Sequence, residues 1–251
     1  MTTIVRTPTQ MASTDNGGST APGGGTQTAI VPVQAIAQPV RRINKIQPEV
    51  VIGIGKDTTG SSGPFAEGTH RSTELILRAV SAKARSVRGY QLTWGDEDYG
   101  QHPTLITNDG TVEQVLADSA RITYGGGGDA PEHHLSGIRE LVNVVPWPTD
   151  PRKGRGAVVV FMTADTKPDA RGMTARQLGE NIKDRGLLFY LVGEPYPFAT
   201  EIVDAAQGLM FPISNNPDPA QMQRIAAQLG ASILATVGVG ATRPMTVVSN
   251  P

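Results

Sequence analysis

Three continuous apolar runs constrain the fold of this chain more than any other feature. Residues 50–54 (Val-Val-Ile-Gly-Ile), 157–162 (Ala-Val-Val-Val-Phe-Met) and 187–192 (Leu-Leu-Phe-Tyr-Leu-Val) are short and unbroken. A strand reads this way when both of its faces are covered, as in a parallel sheet under helices. Segments at helical spacing lie between the runs. Residues 64–85 carry Leu75, Ile76, Ala79, Val80 and Ala84; 112–122 follows Thr111 as N-cap; 131–145 opens on Pro131 and carries Leu135, Ile138, Leu141 and Val142. Further helices are expected over 174–185, ended by Gly186, over 198–207, and over 220–236.

Weaker strands complete the pattern. Residues 90–94 alternate, and 104–107 reads as a short antiparallel partner closed by a turn at Asn108-Asp-Gly110. Residues 209–213 form an edge strand, because Pro212 cannot donate to a ladder. The expectation is an α/β, doubly wound, mostly parallel sheet with helices on both faces and one antiparallel edge strand, a Rossmann-like architecture over 49–238. Ligands of such sheets bind outside the carboxyl ends of the strands. That brings loops 57–62, 125–129 and 163–166 to one rim.

The flanks read differently. Residues 1–48 are a Gly/Pro/Ser/Thr-rich tail and linker, too polar to offset the entropy of ordering. Within them 30–33 offers an edge strand and 40–45 a small basic linker, and 239–251 is a C-terminal tail. The 251 residues carry 18% charged side chains and a net charge of −1, which argues against nucleic acid as partner. Cysteine is absent, which excludes disulfides and thiolate metal sites. Met1 to Gln10 lacks an apolar signal core, and no stretch of about 18 apolar residues predicts a membrane span. The expected protein is soluble and cytoplasmic.

The rim carries the chemistry. Asp57-Thr-Thr-Gly-Ser61 sets a carboxylate and hydroxyls at alternating positions, the oxygen-only donor set that Mg²⁺, Mn²⁺ or Ca²⁺ takes. The four glycines 125–128 allow close backbone approach and present Asp129; loop 163–166 presents Asp165. The bland alternative is that the hydroxyls only cap the following helix.

Other chemistries fit worse. A P-loop needs Gly at 50 and a hydroxyl at 57, where Val50 and Asp57 stand. A phosphoryl-accepting Asp57 wants a second Asp two residues on, where Thr59 stands. Gly60-Ser-Ser-Gly63 is too short for a nucleophile elbow. His133 and His134, adjacent on an expected helix, diverge by about 100° and read as a solvated face. Trp94 and Trp147 read as packing residues.

Asp57-x-Thr-Gly-Ser61 after an apolar strand resembles the metal-ion-dependent adhesion site of von Willebrand factor A-type (vWA) domains. Gly126-Gly-Gly-Asp-Ala-Pro-Glu132 resembles the second-loop signature of a branch of them, and Thr163-Ala-Asp165 stands where their third loop carries an Asp. The resemblance runs over about 49–230. It implies Asp57, Thr59 and Ser61 as metal ligands. The family's loop-two Thr falls on Gly128, so Asp129 is expected to substitute directly or through water, and Asp165 is displaced by one position. Trp94-Gly-Asp96 resembles the end of the family's second strand, where the acid has a supporting role. The function so implied is a divalent-cation-dependent protein–protein interaction module, not an enzyme, in which an Asp or Glu of a protein partner completes the metal shell. A metal-independent structural subunit assembling through the N-terminal tail and a metal-dependent phosphohydrolase are the alternatives.

Overall fold

The computed structural model describes residues 49–151, 153–213, 218–239, 241 and 243–246. The strand expected over 30–33, the linker 40–45 and most of 239–251 lie outside the described residues. In chain order the elements are β1 (Glu49–Asp57), a 3-10 segment (Gly60–Phe65), α1 (Ala66–Ser81), β2 (Ser86–Trp94), a second 3-10 segment (Glu97–Tyr99), β3 (Thr104–Gly110), α2 (Val112–Ser119), α3 (His134–Val144), β4 (Gly154–Phe161), α4 (Ala175–Asp184), β5 (Leu188–Gly193), α5 (Pro197–Ala206), β6 (Leu209–Pro212) and α6 (Pro219–Val239).

The strands form one six-stranded sheet in the order β3-β2-β1-β4-β5-β6. Among the described residues only the β2–β3 pair is antiparallel. Every residue of β4 and β5 is buried, which is why these strands read as unbroken apolar runs. On one face Tyr90, Leu92, Val158 and Leu191 pack under Ile138, Leu178 and Ile202 of α3, α4 and α5. On the other, Val50, Ile52, Val159 and Tyr190 pack under Leu77, Val115 and Leu229 of α1, α2 and α6. The chain leaves β1 toward β2 on one side and returns to β4 on the other. The β1–β4 boundary is therefore the topological switch point, and the crevice outside their carboxyl ends is where such a sheet offers a site.

Four local expectations change. Asn108-Asp-Gly110 is not a turn: it belongs to β3, and Asp109 adopts a left-handed φ of 57° beside a register shift against β2. The helix expected over 64–85 is a 3-10 turn followed by 66–81. The third helix starts at His134 and not at Pro131, because loop 163–167 claims the Glu132 backbone first. Glu132 N–H donates to the Asp165 carbonyl (2.9 Å), and Lys167 N–H donates to the Glu132 carbonyl (2.6 Å). Finally, His133 and His134 are not a solvated face; both are buried, and His134 stacks on Phe198.

Both tryptophans pack, and β1 makes room for them. A Cβ on Gly55 would come within 2.6 Å of the Trp94 ring, and one on Gly53 within 2.7 Å of Trp147. Trp94 is fully buried and its indole N–H donates to His134 Nδ1 (3.0 Å). Gly55→Val is expected to destabilise the protein by about 1–3 kcal/mol through overpacking, read as a lower denaturant midpoint at unchanged m-value.

Candidate metal centre

Asp57 is the last residue of β1 and is 2% exposed. Its Oδ1 accepts the Thr59 N–H (2.9 Å) and the Thr59 hydroxyl (2.8 Å). Its Oδ2 accepts the Ser62 hydroxyl (2.6 Å) and the Thr163 hydroxyl (3.3 Å). Ser61 Oγ lies 3.0 Å from Thr59 Oγ1 and is exposed, so the cluster has one open side. These hydroxyls cap nothing: neither the 3-10 segment nor α1 receives a side-chain cap. They converge on a carboxylate that, among the described residues, forms no ion pair.

Loop two closes over this group through its backbone. Gly60 N–H donates to the Gly126 carbonyl (3.1 Å) and Gly125 N–H to the Thr58 carbonyl (3.0 Å). Gly127 has φ +70°, and a Cβ there would lie 3.2 Å from Glu132 Oε1 and 3.4 Å from Thr59. A glycine is needed to let the loop come this near.

Glu132 itself was missed in the sequence. It is 4% exposed, and its Oε2 has no hydrogen-bond partner among the described residues. Burial, then the charge of Asp57, then that of Asp96 push its carboxyl up to about 7. Two buried acids thus stand together, one with an oxygen that has no hydrogen-bond partner and the other with no ion pair among the described residues. All the donors are oxygens, so the set fits a hard divalent ion. The residues that would hold it are Asp57, Thr59, Ser61, Thr163 and Glu132.

The two remaining sequence candidates lie elsewhere on the rim. Asp129 is exposed, and its carboxylate pairs with Lys167 Nζ at 3.1 Å. Asp165 is exposed; its Oδ1 accepts the Thr166 N–H (2.8 Å) and its carbonyl holds Glu132. Gly128, where the family pattern has a hydroxyl, sits under the Tyr99 ring, which fills the space a side chain would take.

A second group adjoins the first. Asp96, Asp98 and His133 offer ligand atoms within 4.8 Å of one another, a possible metal-binding triad. Lys167 Nζ donates to both oxygens of Asp96 (3.0 and 2.9 Å), to Asp98 (2.8 Å) and to Asp129. His133 Nδ1 lies 2.9 Å from Asp96 Oδ1. Burial would push the Asp96 carboxyl up, but the Lys167 hydrogen bond, the Asp98 N–H and the charges of Lys167 and His133 hold it below the usual carboxylate range. Hydrogen bonds to Asp98 and Asp96 raise the Lys167 ammonium above the ordinary lysine range.

No family model matches the chain, and no curated protein matches it either. Among solved structures 243 chains match. One is the crystal structure of the SpRpn10 VWA domain, at 13% identity and a TM-score of 0.54, covering 73% of this chain and 95% of that one. The likeness shows the fold: a vWA-like α/β sheet, mostly parallel with one antiparallel strand.

Proposed function

We propose that this domain is a divalent-cation-dependent protein-interaction module, and that a carboxylate of its partner completes the shell of an ion held at Asp57. The single observation that carries this reading is Glu132, a buried carboxyl with an unpartnered oxygen and a raised proton affinity facing Asp57. A built site of this kind destabilises the protein unless a cation occupies it. The bound ion would supply a fixed positive charge with coordination positions left to water or to a ligand.

The chain's own residues do the rest. Asp57 and Glu132 carry the negative charge, Thr59 and Thr163 orient the Asp57 oxygens, and Ser61 stands at the exposed side where a partner reaches in. A groove of about 460 Å³ is bordered by Thr58, Gln101, Tyr124 and Gly126, whose carbonyl accepts the Gly60 N–H of the first loop. It is room for the residues that flank an incoming acid. Asp129, held by Lys167, and the exposed Asp165 stay outside the proposed ligand set.

Affinity capture compares wild type with Asp57→Ala, each with Mg²⁺ and with chelator, and mass spectrometry reads the bound proteins. Partners are expected with wild type in Mg²⁺ alone, with recovery reduced on the order of 100-fold by the substitution. Capture that ignores both chelator and Asp57→Ala sinks the reading in favour of a metal-independent structural subunit.

A further inference from the structure

The ammonium of Lys167 sits where an ion would sit. Three carboxylates from two segments meet on it: Asp96 and Asp98 in the loop after β2, and Asp129 at the end of the glycine loop. Asp96 is fully buried, and His133 Nδ1, which accepts the Glu97 N–H, lies 2.9 Å from its Oδ1. The same lysine reaches the proposed ion site through its backbone, since its N–H holds the Glu132 carbonyl at 2.6 Å. Its charge also offsets part of the field that Asp57, Asp96 and Asp129 exert on the Glu132 carboxyl. Without Lys167, Asp96, Asp98 and Asp129 would face one another and Glu132 with His133 alone to oppose them. Such an array draws a divalent cation.

We propose that Lys167 is a tethered cation: its ammonium occupies a second cation position between Asp96, Asp98 and Asp129, and fixes the rim around Glu132 without a second metal. This rests on the reading of Asp57 and Glu132 as an ion site only for the purpose that the fixed rim serves. The occupancy itself is independent of that reading. Lys167 is thereby a positioning residue for Glu132. A lysine differs from an exchangeable ion in that chelators cannot remove it, so the rim keeps one shape while the proposed Asp57 ion comes and goes.

Mn²⁺ stoichiometry, measured on the full chain by native mass spectrometry and by the free-Mn²⁺ spin-resonance signal, tests this. Lys167→Met and Lys167→Gln are expected to bind one more Mn²⁺ than wild type, and Lys167→Arg the same number as wild type. Adding Asp98→Asn to Lys167→Met should remove the extra ion. The increment is also expected between Asp57→Ala and Asp57→Ala/Lys167→Met, so a failure of the Asp57 reading lowers both counts and leaves their difference at one. A neutral variant that unfolds in chelator and refolds in Mn²⁺ supports the proposal. The proposal is overturned if neither neutral variant takes up an extra ion, including the case in which both stay unfolded in Mn²⁺, or if the arginine variant gains one.

Discussion

Glu132→Gln should make the metal-free protein more stable above pH 7 while it weakens cation binding. The Glu132 carboxyl is raised from 4.5 to about 7 in the fold, first by burial and then by Asp57 and Asp96. The native state therefore holds a proton that the unfolded chain has lost between those pH values. Stability from this group is complete below about pH 4.5 and is lost as pH rises through about 7. At pH 8 the ionised carboxyl is a net burden on the order of 2–3 kcal/mol, which the amide lacks. Urea unfolding in chelator should show the variant ahead at pH 8 and level with wild type near pH 4.5. With saturating Mn²⁺ the order should reverse, because only wild type gains the full linkage term. A variant that is less stable at pH 8 without metal would mean that Glu132 is satisfied in the fold and is no ligand.

Lys56→Met should stabilise the protein even more. Lys56 is fully buried one residue before Asp57, and its Nζ donates to Ser119 Oγ at 2.6 Å. Burial lowers its ammonium from 10.5 to about 7. The unfolded chain binds more protons between those values, so stability rises with pH across that window. Below pH 7 the whole penalty applies, on the order of 4–5 kcal/mol. Methionine fills similar volume without a charge, and Ser119 keeps His70 Nδ1 at 3.2 Å. The expected gain is several kcal/mol at pH 6, shrinking toward zero by about pH 10. Denaturant midpoints of both proteins at pH 6, 8 and 9.5 read it directly, and a loss of stability at pH 6 would contradict it.

Lys56 is the penultimate residue of β1, and Glu132 bridges Thr166 in the loop that follows β4. A chain that buries an amine at 56 and an unpartnered acid at 132 departs from the rules of a stable core at its rim. Departures of that kind gather where a protein binds or reacts.

The sheet was legible in the sequence because full burial leaves a one-dimensional trace. Residues 50–54 and 157–162 cannot carry polar side chains on either face, and the amphipathic segments between them supply the cover. The clustering of the Asp57, Thr59 and Ser61 oxygens was legible because three oxygens at alternating positions of one loop need no tertiary knowledge to be read together. Glu132 was not, because Pro131-Glu132 before an apolar-periodic stretch reads as an ordinary first helical turn. Only the capture of its backbone by Asp165 and Lys167 turns it inward. Lys167 gave no signal either: its partners Asp96 and Asp129 lie 71 and 38 residues away. His133 and His134 misled for the same reason, since the helix assumed for them starts only at His134.

In the proposed function Asp57 and Glu132 hold one divalent cation. Calorimetric titration of Mn²⁺ into wild type, Asp57→Ala and Glu132→Gln at pH 8, up to roughly 5 mM, tests it most directly. One ion is expected on wild type, with affinity reduced on the order of 100-fold in either variant. A wild type that takes up no Mn²⁺ over this range, or variants that bind it as tightly as wild type, would contradict the account.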